Sequence, residues 1–122
     1  MAEKRGGDFR SSWVASGDLS GAQYRLVTFT GNDVWLPTSG SQCVGVLQNK
    51  PKNDEHAAVV GMGYSKVCPA TNLSAGNEFM AGGSGLVVLA ASGSWAHGFL
   101  LTAGNSGDVA EAVVSPGYLK GT

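Results

Sequence analysis

The sequence predicts an all-β fold: a compact β-barrel or β-sandwich built from two similar β-units, with an N-terminal arm. Three observations carry this. Apolar residues recur with a period of two rather than 3.6. Glycine makes up 19 of 122 residues, and clusters of Gly, Asn, Asp, Ser and Pro separate short β-prone runs. A stretch of 15 residues also returns 53 positions further on.

Residues 1–18 come first. Five of the first ten residues are charged, Phe9 and Trp13 follow, and Ser16-Gly-Asp reads as a turn, so this segment is an arm rather than a domain. A single β-domain over 19–114 follows, with an internal repeat of about 19–60 and 73–114. Val34–Gln48 aligns without a gap on Val87–Leu101, and Val34/Val87, Leu36/Leu89, Ser39/Ser92, Gly40/Gly93, Ser41/Ser94, Gly45/Gly98 and Leu47/Leu100 are identical. One-residue slips extend the match from Leu19-Ser20 against Leu73-Ser74 to Ala58-Val-Val60 against Ala112-Val-Val114. Each unit begins with Leu-Ser and a small pair. A strand, a turn, an apolar strand, a Ser-Gly-Ser turn, a Gly-containing strand, a loop and a last strand follow.

Within the units the alternation is explicit. Over His56–Val67, Ala58, Val60, Met62 and Tyr64 share one face, and Val59, Gly61, Gly63 and Ser65 the other. Over Trp95–Leu101, Trp95, His97, Phe99 and Leu101 oppose Ala96, Gly98 and Leu100. Val109, Glu111 and Val113 alternate with Ala110, Ala112 and Val114. No window of 12 residues makes an amphipathic helix, and the nearest, Asp108–Val114, is too short and too β-branched. Gly45 and Gly98 hold matching strand positions, where bulges or sharp barrel bends are expected. Residues 115–122 form a short tail.

Composition excludes several functions. Eight Lys and Arg against nine Asp and Glu leave a net charge of −1, without the cation surplus of an electrostatic nucleic-acid binder. With 43% hydrophobic residues the chain is too apolar for disorder, and its glycines follow no collagen period. Phe79 to Gly107 lacks Asp, Glu, Lys and Arg, but its many Gly and Ser residues argue against a membrane span. The charged N-terminus has no apolar stretch behind it and does not read as a signal peptide, so the Asn72-Leu-Ser sequon carries no meaning. Cys43 and Cys68 read as two buried or half-buried thiols in a reducing cytoplasm.

Catalytic, metal and cofactor sites are not expected. Two Cys and two His at no recognised spacing do not make a zinc site. Gly82-Gly-Ser-Gly85 is not a nucleophile elbow, and Gly61-Met-Gly63 lacks the third glycine and the helix of a dinucleotide fingerprint. His97 alternates with Trp95 and Phe99 as a packed ring, and His56 lies in a polar loop. Asp18, Asp33, Asp54 and Asp108 stand in turn contexts. What remains is interaction. Arg5, Phe9, Arg10 and Trp13 of the arm, and Lys50 and Lys52 of the mixed-charge loop 50–55, are the candidate partner-interface residues. Two readings of the arm stay open: it folds back onto its own sheet, or it adds as a strand to a neighbour. Trp35 and Trp95, near equivalent places of the repeats, either fill the core, the favoured reading, or stack sugars.

Four runs carry a resemblance: Leu19-Ser-Gly-Ala-Gln-Tyr-Arg-Leu-Val-Thr-Phe29, Gly45-Val-Leu-Gln-Asn-Lys-Pro51, Ala57–Val67 and Leu73-Ser-Ala-Gly76. Over about residues 16–114 the chain is similar to the small capsid cement, or head-decoration, proteins of tailed bacteriophages. It implies a compact β-fold on the outer surface of the assembled head that bridges major capsid subunits, without catalytic residues or cofactors. The implied protein is a virion component made in the host cytoplasm. Its partners are the major capsid protein and itself, a homotrimer with a dimer as the other possibility, and neither nucleic acid nor membrane. A virion-surface module for a receptor or glycan is the alternative.

Overall fold

The computed structural model describes residues 9–121, with residues 9–12 described by their backbone. Nine strands follow one another: β1 (Phe9–Val14), β2 (Leu26–Thr30), β3 (Asp33–Trp35), β4 (Gly45–Leu47), β5 (His56–Val67), β6 (Glu78–Ala81), β7 (Val87–Leu89), β8 (Trp95–Leu100) and β9 (Ala110–Leu119). One turn of 3-10 helix, Gly83–Gly85, joins β6 to β7. The strands form one sheet in the order β3-β2-β4-β5-β9-β8-β6-β7, with β1 also paired to β5. Every strand pair is antiparallel. The sheet curls into a half-barrel, so the all-β expectation holds.

The order reads alike from both ends. β3-β2-β4 leads to β5 as β7-β6-β8 leads to β9, and the registers agree. Leu26↔Val46 and Val46↔Val60 in the first half match Glu78↔Phe99 and Phe99↔Val113 in the second. β5 is the spine that joins the halves. Its residues 56–62 pair with β1, and 63–67 pair with β9. Arg10↔Val60 and Trp13↔Ala57 match Tyr64↔Val113 and Val67↔Ala110. β1 therefore stands to the start of β5 as the end of β5 stands to β9. Parallel bridges draw each unit round on itself, Ala15↔Val34 in the first and Pro69↔Val87 in the second.

Loops follow the same plan. The Tyr24 N–H donates to the Leu47 carbonyl and the Gly76 N–H to the Leu100 carbonyl, both at 2.7 Å. The Lys52 N–H donates to the Glu55 carboxylate (2.8 Å), and the Asn105 N–H to the Asp108 carboxylate (3.2 Å). This correspondence reaches back to Arg10 and Tyr64, ahead of the Leu19 and Leu73 at which the sequence repeat begins. Two segments set apart in the sequence thus belong to the sheet. β1 lies on the chain's own β5, so residues 9–14 are not a free arm, and residues 115–119 continue β9 rather than forming a tail.

Each unit has its own apolar centre. Ala15, Leu19, Ala22, Val27, Val34, Leu47, Ala57 and Val59 fill the first, with Trp13, Trp35, Leu36 and Val44 packed against them. The second holds Leu73, Phe79, Val87, Leu100, Ala110 and Ala112 in the places of Leu19, Val27, Val34, Leu47, Ala57 and Val59. Leu26, Cys43 and Val46 of the first unit join this second cluster. Burying each large side chain contributes roughly 1.5–3 kcal/mol.

The expected bulge is present at Gly98, and the two matched glycines share a further cause. A Cβ on Gly45 would run into the carbonyl oxygen of Val60, and one on Gly98 into that of Val113. Both mark a close approach of one strand to the next. A register shift between Ala96 and Gly98 does occur, and it corrects the simple alternation expected for Trp95–Leu101. Ala96, His97 and Gly98 are consecutively buried, and Phe99 and Leu101 then face outward on either side of buried Leu100.

Candidate functional site

The residues singled out in the sequence do not converge. Arg5 lies outside the described residues. Phe9 and Arg10 pair through their backbones with Met62 and Val60, near the middle of β5. Lys50 and Lys52 are exposed in the loop at the other end of β1. There the Ala15 N–H donates to the Glu55 carbonyl at 2.9 Å, and the Asp54 N–H to the Ala15 carbonyl at 3.0 Å, fixing the loop to the strand's end. The Ser20 amide and side chain hydrogen-bond the Asp18 carboxylate, and Lys52 lies close by; these contacts hold its pKa below the usual value. From Arg10 to Ala15, where the loop is tied, the strand advances five residues, about 17 Å.

Trp13 belongs to the first unit's interior. It is half-buried, meets Phe29 edge-on with ring centroids 5.0 Å apart, and its buried indole N–H has no hydrogen-bond partner among the described residues. Trp35 and Trp95 are also half-buried, but one lies on β3 and the other on β8. Their strands are not counterparts, because β8 corresponds to β4, and Trp35 packs against the first unit's apolar centre.

His97 is packed, as its sequence context suggests. Its Nε2 accepts the Cys43 backbone N–H at 3.2 Å, and burial lowers its pKa despite the nearby Ser41 backbone. Burial pushes the Cys43 thiol up to about 12, and it also raises that of Cys68 against the pull of Arg25. Neither thiol is an activated nucleophile. Among the described residues no three His, Cys, Asp or Glu side chains gather as a metal site. A shallow cleft of about 260 Å³ is lined by Thr28, Phe29, Gln42, Cys43 and Val44.

The feature that sequence reasoning missed is an outward row across three strands of the second unit. Tyr64 on β5 pairs with Val113 on β9, and Val113 with Phe99 on β8. Tyr64 is 49% exposed and Phe99 42%, while Met62, also on β5, and Leu101, just past the end of β8, are exposed too. The counterparts of Val113 and Phe99 in the first unit, Val60 and Val46, are fully buried. The signal was present as the alternation of Met62 with Tyr64, but periodicity does not say which face is covered. One end of the row is polar. Glu78, paired with Phe99, accepts the Tyr118 hydroxyl at 2.6 Å and the Lys120 ammonium at 2.5 Å. Lys120 first, then Tyr118, holds the Glu78 carboxyl below its ordinary range, and burial with Glu78 pushes the Tyr118 phenol up to about 12. Tyr64 hydrogen-bonds Glu111, which raises its phenol as well.

No family model matches this chain, and no curated protein matches it. Its fold is similar to a solved structure described as the head fiber gp8.5 N base in bacteriophage phi29. The TM-score is 0.72 with 15% sequence identity, over 91% of this chain and 97% of that one. At that identity the likeness is one of fold.

Proposed function

We propose that this chain is a non-enzymatic structural protein of a tailed-phage head, which binds the outer surface of the assembled shell and bridges major capsid subunits. The observation that carries this is the match of nearly the whole chain to the base of a phage head fiber. The surface agrees with it. The described residues offer an outward apolar row on the sheet and scattered exposed cations, both of which suit contact with other proteins. Contact with the shell runs through the N-terminal segment and loop 50–55, by Arg5, Phe9, Arg10, Lys50 and Lys52. Cations towards both ends of β1, about 17 Å apart along the strand, suit a protein that touches two subunits at once. Trp13 is left out of this contact because it packs inside the first unit. A protein that binds only the assembled lattice stabilises it by mass action. The reading includes a closed small oligomer, a homotrimer, set over a symmetry axis of the shell. A glycan or receptor module draws no support from Trp35 and Trp95, which lie on unrelated strands.

The experiment is co-sedimentation of purified protein with undecorated shells of the phage that encodes it, followed by heating. The protein is expected to pellet with assembled shells, to leave unassembled capsid subunits alone, and to raise the temperature at which the shells disrupt. Lys50→Glu with Lys52→Glu is expected to weaken binding more at low salt than at high. Failure to pellet with intact shells would overturn the reading.

A further inference from the structure

We infer that the exposed row Tyr64–Val113–Phe99 is covered by a second copy of this chain, packed head to tail through the Phe29-bearing end of its first unit. The argument comes from the contact the chain already makes with itself. In the first unit the row Leu26–Val46–Val60 is wholly buried, and Leu26 and Val46 belong to the second unit's apolar cluster. The β6–β7 end of the second unit reaches across to it. The Ala81 carbonyl accepts the Gly40 N–H at 2.8 Å, the Ser84 carbonyl accepts the Arg25 guanidinium at 3.4 Å, and Gly85 lies against the Leu26 carbonyl.

Both sides of this contact have counterparts that are only partly covered, with Glu78 and Val113 half-buried. The receiving row Leu26–Val46–Val60 corresponds to Glu78–Phe99–Val113, and Phe99 is exposed. The covering end corresponds to the β2–β3 hairpin. Phe29↔Val34 matches Ala81↔Val87, so Phe29 holds the place of Ala81, and the Gly31-Asn32 turn that of the 3-10 turn. Phe29 is 50% exposed, and Gly31 and Asn32 are exposed too. A chain made of two like units, in which one unit's end covers the other's row, therefore keeps one free end and one free row. The two are different surfaces, so the contact is heterologous, and it closes into a ring or continues as a filament. The end of β9, held to Glu78 by Tyr118 and Lys120, takes the margin of the row beside Ala96 and leaves Phe99, Val113 and Tyr64 for the partner. Aromatic anchors in an apolar setting are the side chains that dominate interfaces. This inference does not rest on the phage-head reading, and its test needs only the purified chain.

Light-scattering mass measured over a concentration series tests it. The full chain is expected to exceed one chain mass, and Phe99→Asp and Phe29→Ser each to weaken association by roughly thirtyfold or more. Far-UV circular dichroism and melting check that each variant is folded. Asn32→Glu, on an exposed turn and facing the partner's Glu78, supplies a second variant of the covering end that leaves the interior untouched. Mixing Phe99→Asp with Phe29→Ser is the deciding arm. Each keeps one sound surface, so the mixture is expected to form a one-to-one pair that neither forms alone. A monomeric full chain at every concentration overturns the inference, as does a mixture that stays monomeric. Association lost in Phe99→Asp but kept in both Phe29→Ser and Asn32→Glu overturns it too, in favour of a twofold contact of the row with itself. A monomeric chain whose Phe99→Asp variant no longer pellets with shells would assign the row to the shell instead.

Discussion

The two units share strand order, register and turn hydrogen bonds, yet they bury different amounts of the same sheet. In the first, Val27, Leu47 and Val59 face one apolar cluster, while Leu26 and Val46 on the alternate positions face the other. Both faces are covered, and the row reads as continuous hydrophobics. In the second, Phe79, Leu100 and Ala112 face inward, but Glu78, Phe99 and Val113 look out. The same backbone plan thus tolerates two surfaces, because what covers a sheet face is not part of the unit. The inner positions are equivalent in kind; only the outer ones diverge, and they diverge where a neighbour is present or missing.

That comparison can be attacked first at its two matched glycines. Gly98→Ala and Gly45→Ala both drive a methyl into a carbonyl of the adjoining strand, so each is expected to cost roughly 3 kcal/mol or more in urea unfolding. Gly98→Ala should cost the more of the two, since Gly98 also sits at φ +130° in a region that side chains avoid. Equal costs would show that strand spacing alone sets the requirement. Next come the paired leucines. Leu47→Ala and Leu100→Ala remove the same fully buried group from the two centres, and each should cost about 2–5 kcal/mol. Because Leu26 and Val46 tie the first unit to the second centre, both variants should lower one shared melting transition. Two separate transitions would show that the units fold independently.

A smaller effect is expected at Trp13, which has no counterpart of its kind in the second unit, where Val67 holds its place. Trp13→Ala should cost about 3 kcal/mol, whereas Trp13→Phe keeps most of the packing and removes an indole N–H with no partner, so it should cost under about 1 kcal/mol. The smallest concerns acid. Glu78 has its pKa depressed below 4.5 by Lys120 and Tyr118, so its contribution is present above that value and is lost as pH falls through the lower, folded one. Amide exchange, corrected for its intrinsic pH dependence, should therefore lose protection at residues 115–119 in acid before the amides of residues 56–62 do. Glu78→Gln should show that weakened protection already at neutral pH.

Much of this was legible locally. Alternation in Val109–Val114 set Ala110, Ala112 and Val114 on one face, the one the structure buries, and the paired Gly45 and Gly98 marked corresponding strands. Three readings failed for reasons that are not local. The shift between Ala96 and Gly98 turned His97 inward beside the Cys43 amide and sent Phe99 out, although the two residues keep perfect alternation in the chain. Residues 10–15 and 64–69 are structural counterparts with almost no identity, since a strand at this place needs only a compatible pattern and a backbone to pair with. Trp13 looked like an exposed anchor because its polar surroundings, Ser11 and Ser12, hid the interior it packs into.

The amino-acid sequence by itself determined the fold class and the repetition. Period-two patterning, β-branched runs and turn residues act over a few positions and need no knowledge of distant contacts. Only the tertiary structure decided which strand faces are covered, that β1 lies on its own β5, and that β5 serves both units at once. Those outcomes depend on how a curled sheet brings residues from opposite ends of the chain together. A valine in a strand carries the same local pattern whether a neighbour buries it, as at Val46, or an equivalent place stays open, as at Phe99.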